Sequence, residues 1–144
     1  MNTTEVTVSR TISGPNERVF DVWIDSKSPG GPWHGAARLI FNPVVDGLFY
    51  LAVNHEGRIW PHFGRFTQLD RPHVVEHTWM SEATKGIESV VRVTFEPRGE
   101  ETEVTLTHSG FPDDEMGRGH KDGWGWCLSM LAERFAAGEP ANKL

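Results

Sequence analysis

The stretch Asp113–Ala137, DDEMGRGHKDGWGWCLSMLAERFAA, decides the fold of this chain. It holds the one long helical pattern in a chain of 144 residues that otherwise alternates as strands do. Trp124, Leu128, Leu131 and Phe135 recur at steps of four, three and four, which places them on one face of a helix. A single apolar helix that follows a run of strands must bury that face against their sheet. We therefore expect any cavity to lie between this helix and the sheet.

The sequence before the helix predicts about seven strands. A first strand runs to about Ile12, and a short helix begins at Pro15 and ends before Pro29-Gly30-Gly31-Pro32. Polar and apolar residues then alternate in six segments that short turns separate: 37–41, 48–53, 58–69, 75–79, 88–95 and 103–109. Short connections favour antiparallel pairing, and the alternation indicates one buried and one solvated sheet face.

Composition limits the classes of protein that fit. The length suits one domain, residues 1–144, with an ordinary hydrophobic core. A net charge of −6 and a pI near 5.6 oppose binding to nucleic acid or to an anionic membrane. No apolar run has the length of a membrane span, and residues 1–10 lack the apolar segment of a signal peptide. The single cysteine, Cys127, excludes an internal disulfide, so we expect a cytoplasmic protein.

Five motifs in order resemble one family: Gly14–Trp23, Trp33–Gly35, Asp70–Trp79, Thr105–Phe111 and Gly123–Leu131. Together they resemble homologues of the heat-shock protein 90 ATPase activator, of the bacterial single-domain type, within the START-like (SRPBCC) superfamily. The resemblance implies an α+β helix-grip fold like that of START and Bet v 1 proteins. In that fold a curved antiparallel sheet wraps around the long C-terminal helix and encloses a cavity, and a short helix follows the first strand.

The histidines are the candidates for metal binding and general-base catalysis, and the glycines are the candidates for a flexible segment. His73 and His77 are four apart on a strand, which spans about 13 Å and is too far for one metal ion, so we expect no metal site. His108 shares the inward parity of its strand, where a structural hydrogen-bonding role is favoured over general-base catalysis. Gly117 and Gly119 predict a flexible start to the last helix, which would let a lid open over the cavity.

Ligand pockets are mostly apolar and contain few polar groups. The inner faces of the strands and the helix stripe supply such a lining. Trp33 is placed at the cavity mouth, and the face that carries Trp60 and His62 is left open because Pro61 suggests a bulge or an edge. Cys127 is interpreted as a packing residue. The expected lining residues are Trp23, Trp33, Phe41, Leu51, Trp60, His62, His77, Trp79, Val93, His108, Trp124 and Leu128.

Three functions remain open at this point. The first is the binding of a small hydrophobic or amphipathic ligand without catalysis, since no complete catalytic set is present. The second is a cyclase or dehydratase that acts on polyketide-like substrates, as some START-like relatives do, with His108 moving protons together with His77 or His62. The third, implied by the family, is a co-chaperone that activates a chaperone ATPase. For the ligand-binding function, a role in a stress response stays open. We expect no cofactor, and a chaperone or a second copy of the chain stays open as a partner.

Overall fold

The structure is a computed structural model that describes residues 2–137. Seven strands form one sheet with the order β1-β7-β6-β5-β4-β3-β2, and every neighbouring pair is antiparallel. The strands are β1 Thr3–Ile12, β2 Arg38–Phe41, β3 Leu48–His55, β4 Arg58–Asp70, β5 Val74–Ser81, β6 Ser89–Arg98 and β7 Glu101–Pro112. The helices are α1 Asn16–Trp23, α2 Glu115–Arg118 and α3 His120–Ala136, and a 3-10 turn, Glu82–Thr84, follows β5. The predicted α+β helix-grip architecture is confirmed.

The short helix α1 covers one end of the sheet. Pro15 precedes it with extended backbone angles, which suits the fixed φ of proline. Val19, Phe20, Val22 and Trp23 are buried. The ring of Phe20 lies 5.2 Å from that of Phe95 on β6, and the ring of Trp23 lies 6.5 Å from it. Burial of these rings against β6 fixes the position of α1.

The strand β4 presents Trp60, His62 and Gly64 towards the interior. Pro61 lies just beyond the last residue pair with β5, which joins His62 to Ser81, so the missing N–H of proline breaks no bond to β5. The irregularity in the pairing falls further along, between Phe66 and Gln68. A Cβ at position 64 would lie 2.3 Å from the ring of Phe49, so only glycine allows this approach.

The closing stretch forms two helices, where the sequence pattern predicted one long one. The Asp114 carboxylate accepts a hydrogen bond from the backbone N–H of Gly117 at 2.7 Å and caps α2. A Cβ at position 117 would lie 2.1 Å from the carbonyl oxygen of Pro112, so α2 sits directly on the end of β7. Gly119 separates α2 from α3, which has no side-chain cap. Glycine has a low helix propensity, which explains why the helix divides at Gly119.

The long helix α3 lies on the inner face of the sheet with its predicted stripe buried. Trp124, Leu128, Leu131 and Phe135 are each at most 7% exposed. Arg10 on β1 donates a hydrogen bond to the Ser129 hydroxyl at 3.0 Å and ties the helix to the sheet edge. Among residues 2–137, no helix is long and apolar enough to cross a membrane.

Candidate functional site

His108 is the centre of a buried hydrogen-bond chain that joins α3 to three strands. The indole N–H of Trp124 donates to His108 Nδ1 at 3.0 Å. Nδ1 therefore has no proton, and Nε2–H donates to the Ser89 hydroxyl at 2.7 Å. That hydroxyl in turn donates to the carbonyl oxygen of Trp79. Burial, with smaller contributions from the charges that His120 and His77 would carry, lowers the pKa of His108 to about 2. Both ring nitrogens of this neutral histidine are already engaged.

Three further histidines share the opposite tautomer. The Nδ1 atoms of His62, His77 and His120 contact the carbonyl oxygens of Leu51 at 3.2 Å, Thr78 at 2.9 Å and Gly117 at 2.7 Å. A carbonyl oxygen only accepts, so each Nδ1 carries the proton and each Nε2 keeps a lone pair. Burial lowers the pKa of all three rings, that of His77 to about 4. The interior therefore contains neutral hydrogen-bond acceptors.

Four buried indole N–H groups have no hydrogen-bond acceptor among the described residues. They belong to Trp23, Trp33, Trp60 and Trp79. A buried indole N–H usually has a partner, because leaving it unpaired costs about 1–3 kcal/mol. Trp33 and Trp79 are only 1% and 5% exposed. Such groups are expected where a ligand supplies the acceptor, or where a core tolerates the cost.

The aromatic side chains form two groups. The inner cluster surrounds Trp33, whose ring lies 4.8 Å from Phe41, 4.9 Å from Phe49, 5.5 Å from His77 and 5.7 Å from Phe66. This cluster is closely packed, and phenylalanine supplies three of its five rings. We define it as Trp33, Phe41, Phe49, Phe66 and His77.

The helix cluster lies next to the start of α3. The ring of Trp79 is 4.7 Å from His62, 5.0 Å from Trp124 and 6.4 Å from His108. The ring of His120 is 4.4 Å from His108. We define the helix cluster as His62, Trp79, His108, His120 and Trp124. His62 and His120 are half-buried, so this cluster reaches the protein surface, and the contact of Trp79 with His77 at 5.8 Å joins it to the inner cluster.

Some of the expected lining residues lie elsewhere. Trp33 does not stand at a mouth, because the segment before β2 folds it into the inner cluster. Trp23 packs with Phe95 beside α1, away from both clusters. Trp60 is half-buried beneath the guanidinium of Arg58, 3.8 Å above its ring. The remaining aliphatic candidates are in the hydrophobic core: Leu51, Val93 and Leu128.

The interpretation of the sequence missed two members of the site. His120 lies four residues before Trp124, so it extends the helix stripe by one turn, and that spacing was the available signal. Ser89 shares the inward parity of Val91 on β6. Cys127 fits a packing role, because burial raises the pKa of its thiol to about 12.

Two hollows stand out, and both are surface grooves. One, of about 190 Å³, lies on the outer sheet face along Leu48, Phe63 and Met80. The other, of about 230 Å³, lies between α1 and the end of α3, along Val22 and Arg134. Neither lies between the sheet and the first half of α3. Within residues 2–137 no group of three His, Cys, Asp or Glu side chains is placed to hold a metal ion.

Comparison with known proteins identifies the family. A family described as "Activator of Hsp90 ATPase homolog 1-like protein" matches residues 13–136. The chain belongs to this family. The resemblance that the five motifs indicated is therefore confirmed. No curated protein matches the sequence.

Solved structures with a similar fold come from several different proteins. The Mll3558 protein of Rhizobium loti is 19% identical with a TM-score of 0.75, over 92% of this chain and 96% of that one. PFC0360w, an HSP90 activator of Plasmodium falciparum, is 19% identical with a TM-score of 0.68, over 93% and 94%. DynU16, from the dynemicin biosynthetic locus, is 18% identical with a TM-score of 0.73, over 95% of this chain and 49% of that one. At these identities the likeness to the Hsp90 activator homologues and their neighbours shows the fold alone.

Proposed function

We propose that the protein binds a small, largely apolar ligand between the sheet and α3, at the helix cluster. The observation that carries this proposal is the unpartnered indole N–H of Trp79 in the helix cluster, with further unpartnered indole N–H groups at Trp33 and Trp60. A core selected only for packing would use phenylalanine at these positions, because each unpaired N–H costs stability. A ligand with an acceptor atom would repay that cost on binding. The START-like resemblance, which implies a cavity in this place, supports the same reading.

Trp79, His108 and Trp124 are each at most 5% exposed, so in this proposal α2 and the first turns of α3 move to admit the ligand. The start of α3 is weak for a helix. It lacks a side-chain cap and contains Gly123 and Gly125 after Gly119. Each glycine costs about 1 kcal/mol relative to alanine. Lifting this segment exposes the cluster at the cost of the hydrogen bond from Trp124 to His108, and leaves the rest of α3, with Leu131 and Phe135, in place.

The test is a ligand screen by native mass spectrometry and thermal shift with naringenin, 2-naphthol and oleate. We expect a one-to-one complex and a raised Tm with at least one of them. Trp79→Phe keeps an aromatic ring but removes the N–H together with the five-membered ring, so it should weaken binding. Trp126→Phe is the matched control, since Trp126 is on α3 but 65% exposed. Absence of any complex, or equal effects of the two substitutions, would contradict the proposal.

Catalysis by a cyclase or dehydratase is supported less well. A general base needs a free lone pair within reach of its substrate. His108 has none, because Trp124 and Ser89 occupy both ring nitrogens. His62 and His120 keep a free Nε2 and are the histidines that proton transfer would use. Turnover of a bound polyketide by wild-type protein, lost in His62→Gln, would favour this alternative.

Chaperone activation rests on the family alone. One protein of similar fold, PFC0360w, is an HSP90 activator, and at 19% identity the similarity supports the fold and not the activity. A direct assay of Hsp90 ATPase rate with and without this protein decides the matter. An unchanged ATPase rate would exclude this function.

A further inference from the structure

Two half-buried histidines of the helix cluster each keep a hydrogen-bond acceptor, Nε2. His62 on β4 and His120 at the start of α3 each use Nδ1–H on a backbone carbonyl. No residue in the described part of the chain donates to either Nε2. Both side chains are half-buried, so these nitrogens lie where a ligand entering from solvent would meet them.

The two rings lie at the two ends of one continuous series of ring contacts. His62 stacks on Trp79 at 4.7 Å, and His120 packs on His108 at 4.4 Å, while Trp79 and His108 are 6.4 Å apart. Burial lowers the pKa of His62, and the hydrogen bond to Leu51 raises it. The charge that His120 would carry lowers this pKa further. A ligand that contacts Trp79 is therefore next to His62, and one that contacts His108 is next to His120.

Two of the cations near the cluster are held in ion pairs. Arg58 forms an ion pair with Glu82 at the start of the 3-10 turn. Lys85, after that turn, forms one with Asp114 at 3.0 Å. Lys121 follows His120 on α3 and is exposed, and no lysine or arginine among residues 2–137 is buried, so no cation lies inside the cluster to hold a carboxylate or a phosphate. The free polar groups are two neutral acceptors and the indole N–H of Trp79.

We infer that the site selects an uncharged ligand whose polar end is a hydroxyl, such as a phenol or an enol, which donates to Nε2 of His62 or His120. The oxygen of the same group, or a neighbouring carbonyl, accepts from the indole N–H of Trp79. A site built to bind a hydroxyl discriminates against an analogue without it, because its own polar groups are then left unpaired. This inference rests on the proposed function and names the chemistry of its ligand.

Three naphthalene probes of similar shape test the inference on the full chain by calorimetry at pH 7. 2-Naphthol carries a donor hydroxyl, 2-methoxynaphthalene has no donor, and 2-naphthoate is an anion. We expect 2-naphthol to bind about tenfold more tightly than 2-methoxynaphthalene, the effect of one to two net hydrogen bonds. We expect 2-naphthoate to bind most weakly. This comparison needs no variant protein.

Variants assign the preference to the two rings. His62→Phe and His120→Phe should each lower the affinity for 2-naphthol several-fold and leave 2-methoxynaphthalene unchanged. His55→Phe is the control, because the side chain of His55 is 70% exposed on the β3–β4 hairpin. Equal binding of the first two probes, or tightest binding of naphthoate, overturns the inference and leaves the proposed function intact. Failure of all three probes to bind also overturns the inference, and it overturns the proposed function only if naringenin and oleate fail to bind as well.

Discussion

At the scale of single residues, neutral histidines and tryptophans take the place that aliphatic side chains hold in most cores. His108 and Ser89 link Trp124 on α3 to the backbone of Trp79 on β5. Every atom of that chain has its partner, which makes a buried polar network stabilising and specific. It fixes which turn of α3 lies over which strand. Nearby, the N–H of Trp79 has no such partner, which separates the hydrogen-bonded part of the cluster from the part where we propose that the ligand binds.

Replacing Trp124 with Phe should destabilise the protein. The substitution removes the donor to His108 Nδ1 and leaves a buried acceptor unpaired, which costs about 1–3 kcal/mol in addition to the lost volume. Trp126→Phe, two residues away and 65% exposed, should change stability by less than about 0.5 kcal/mol. Urea unfolding measures both. Equal effects of the two substitutions would mean that the hydrogen-bond chain does not hold the helix.

Burial of histidines makes stability depend on pH. It lowers the pKa of His77 to about 4 and that of His108 to about 2, below the value of about 6.5 expected when unfolded. The unfolded chain therefore takes up protons first, and stability is lost as the pH falls below about 6.5. Each ring should cost about 2 kcal/mol at pH 5, while most carboxyl groups titrate lower. Urea unfolding at pH 7 and pH 5 checks this, and equal stabilities would show that these rings are accessible to protons.

At the scale of elements, the two halves of α3 differ in stability. Leu131 and Phe135 anchor its end, and the glycines weaken its beginning. The periodicity of the sequence predicted the buried stripe, since that depends on residues three and four apart. The division at Gly119 was not predicted, because it follows from the contact of Gly117 with the end of β7, which only the folded chain contains.

Alanine at position 123 or 125 should strengthen the start of α3. A Cβ at either position meets nothing within 4 Å, so each substitution should stabilise the protein by about 0.5–1 kcal/mol. Because the same segment must lift to admit a ligand, association of 2-naphthol should slow in stopped-flow fluorescence. Gly117→Ala is the contrasting variant, destabilised by a clash with Pro112. Association as fast in Gly123→Ala as in wild type would exclude this segment as the lid.

At the scale of the whole molecule, the sheet has an apolar row on its outer face as well as a packed inner face. Ile40, Tyr50, Phe63 and Met80 pair directly across four neighbouring strands, and Ile40 and Phe63 are 60% and 43% exposed. The outer groove beside Phe63 is therefore a second place where an apolar molecule could bind. The inner assignment rests on the unpartnered indoles, which the outer face does not offer.

A pair of substitutions separates the two faces. Phe63→Ser removes the main ring of the outer groove and should change the affinity for 2-naphthol by less than twofold. His62→Phe changes the preceding residue of β4, which lies on the inner face, and should lower the affinity for 2-naphthol several-fold. Calorimetry on both variants makes the comparison. The reverse order would place the ligand on the outer face.

Sequence reasoning gave the architecture more fully than the site. Strand parity predicted that His77 and Trp79 face inward, because alternation along a strand is local. The depth of Trp33 could not be predicted, since the loop before β2 has no periodicity. The chain from Trp124 through His108 to Ser89 joins residues 16 and 19 positions apart, so strand pairing and helix docking had to be known first.

The most direct test of the central claim is a nitrogen–proton NMR spectrum of the six indole groups, recorded with and without 2-naphthol. Trp→Phe variants assign the six peaks. If the ligand binds between the sheet and α3, the indole peaks of Trp79 and Trp60 shift, because their N–H groups gain an acceptor or a neighbouring ring. The peaks of Trp23, beside α1, and of the exposed Trp126 stay in place. Binding that leaves Trp79 and Trp60 unshifted, or that moves only Trp126, would contradict the account.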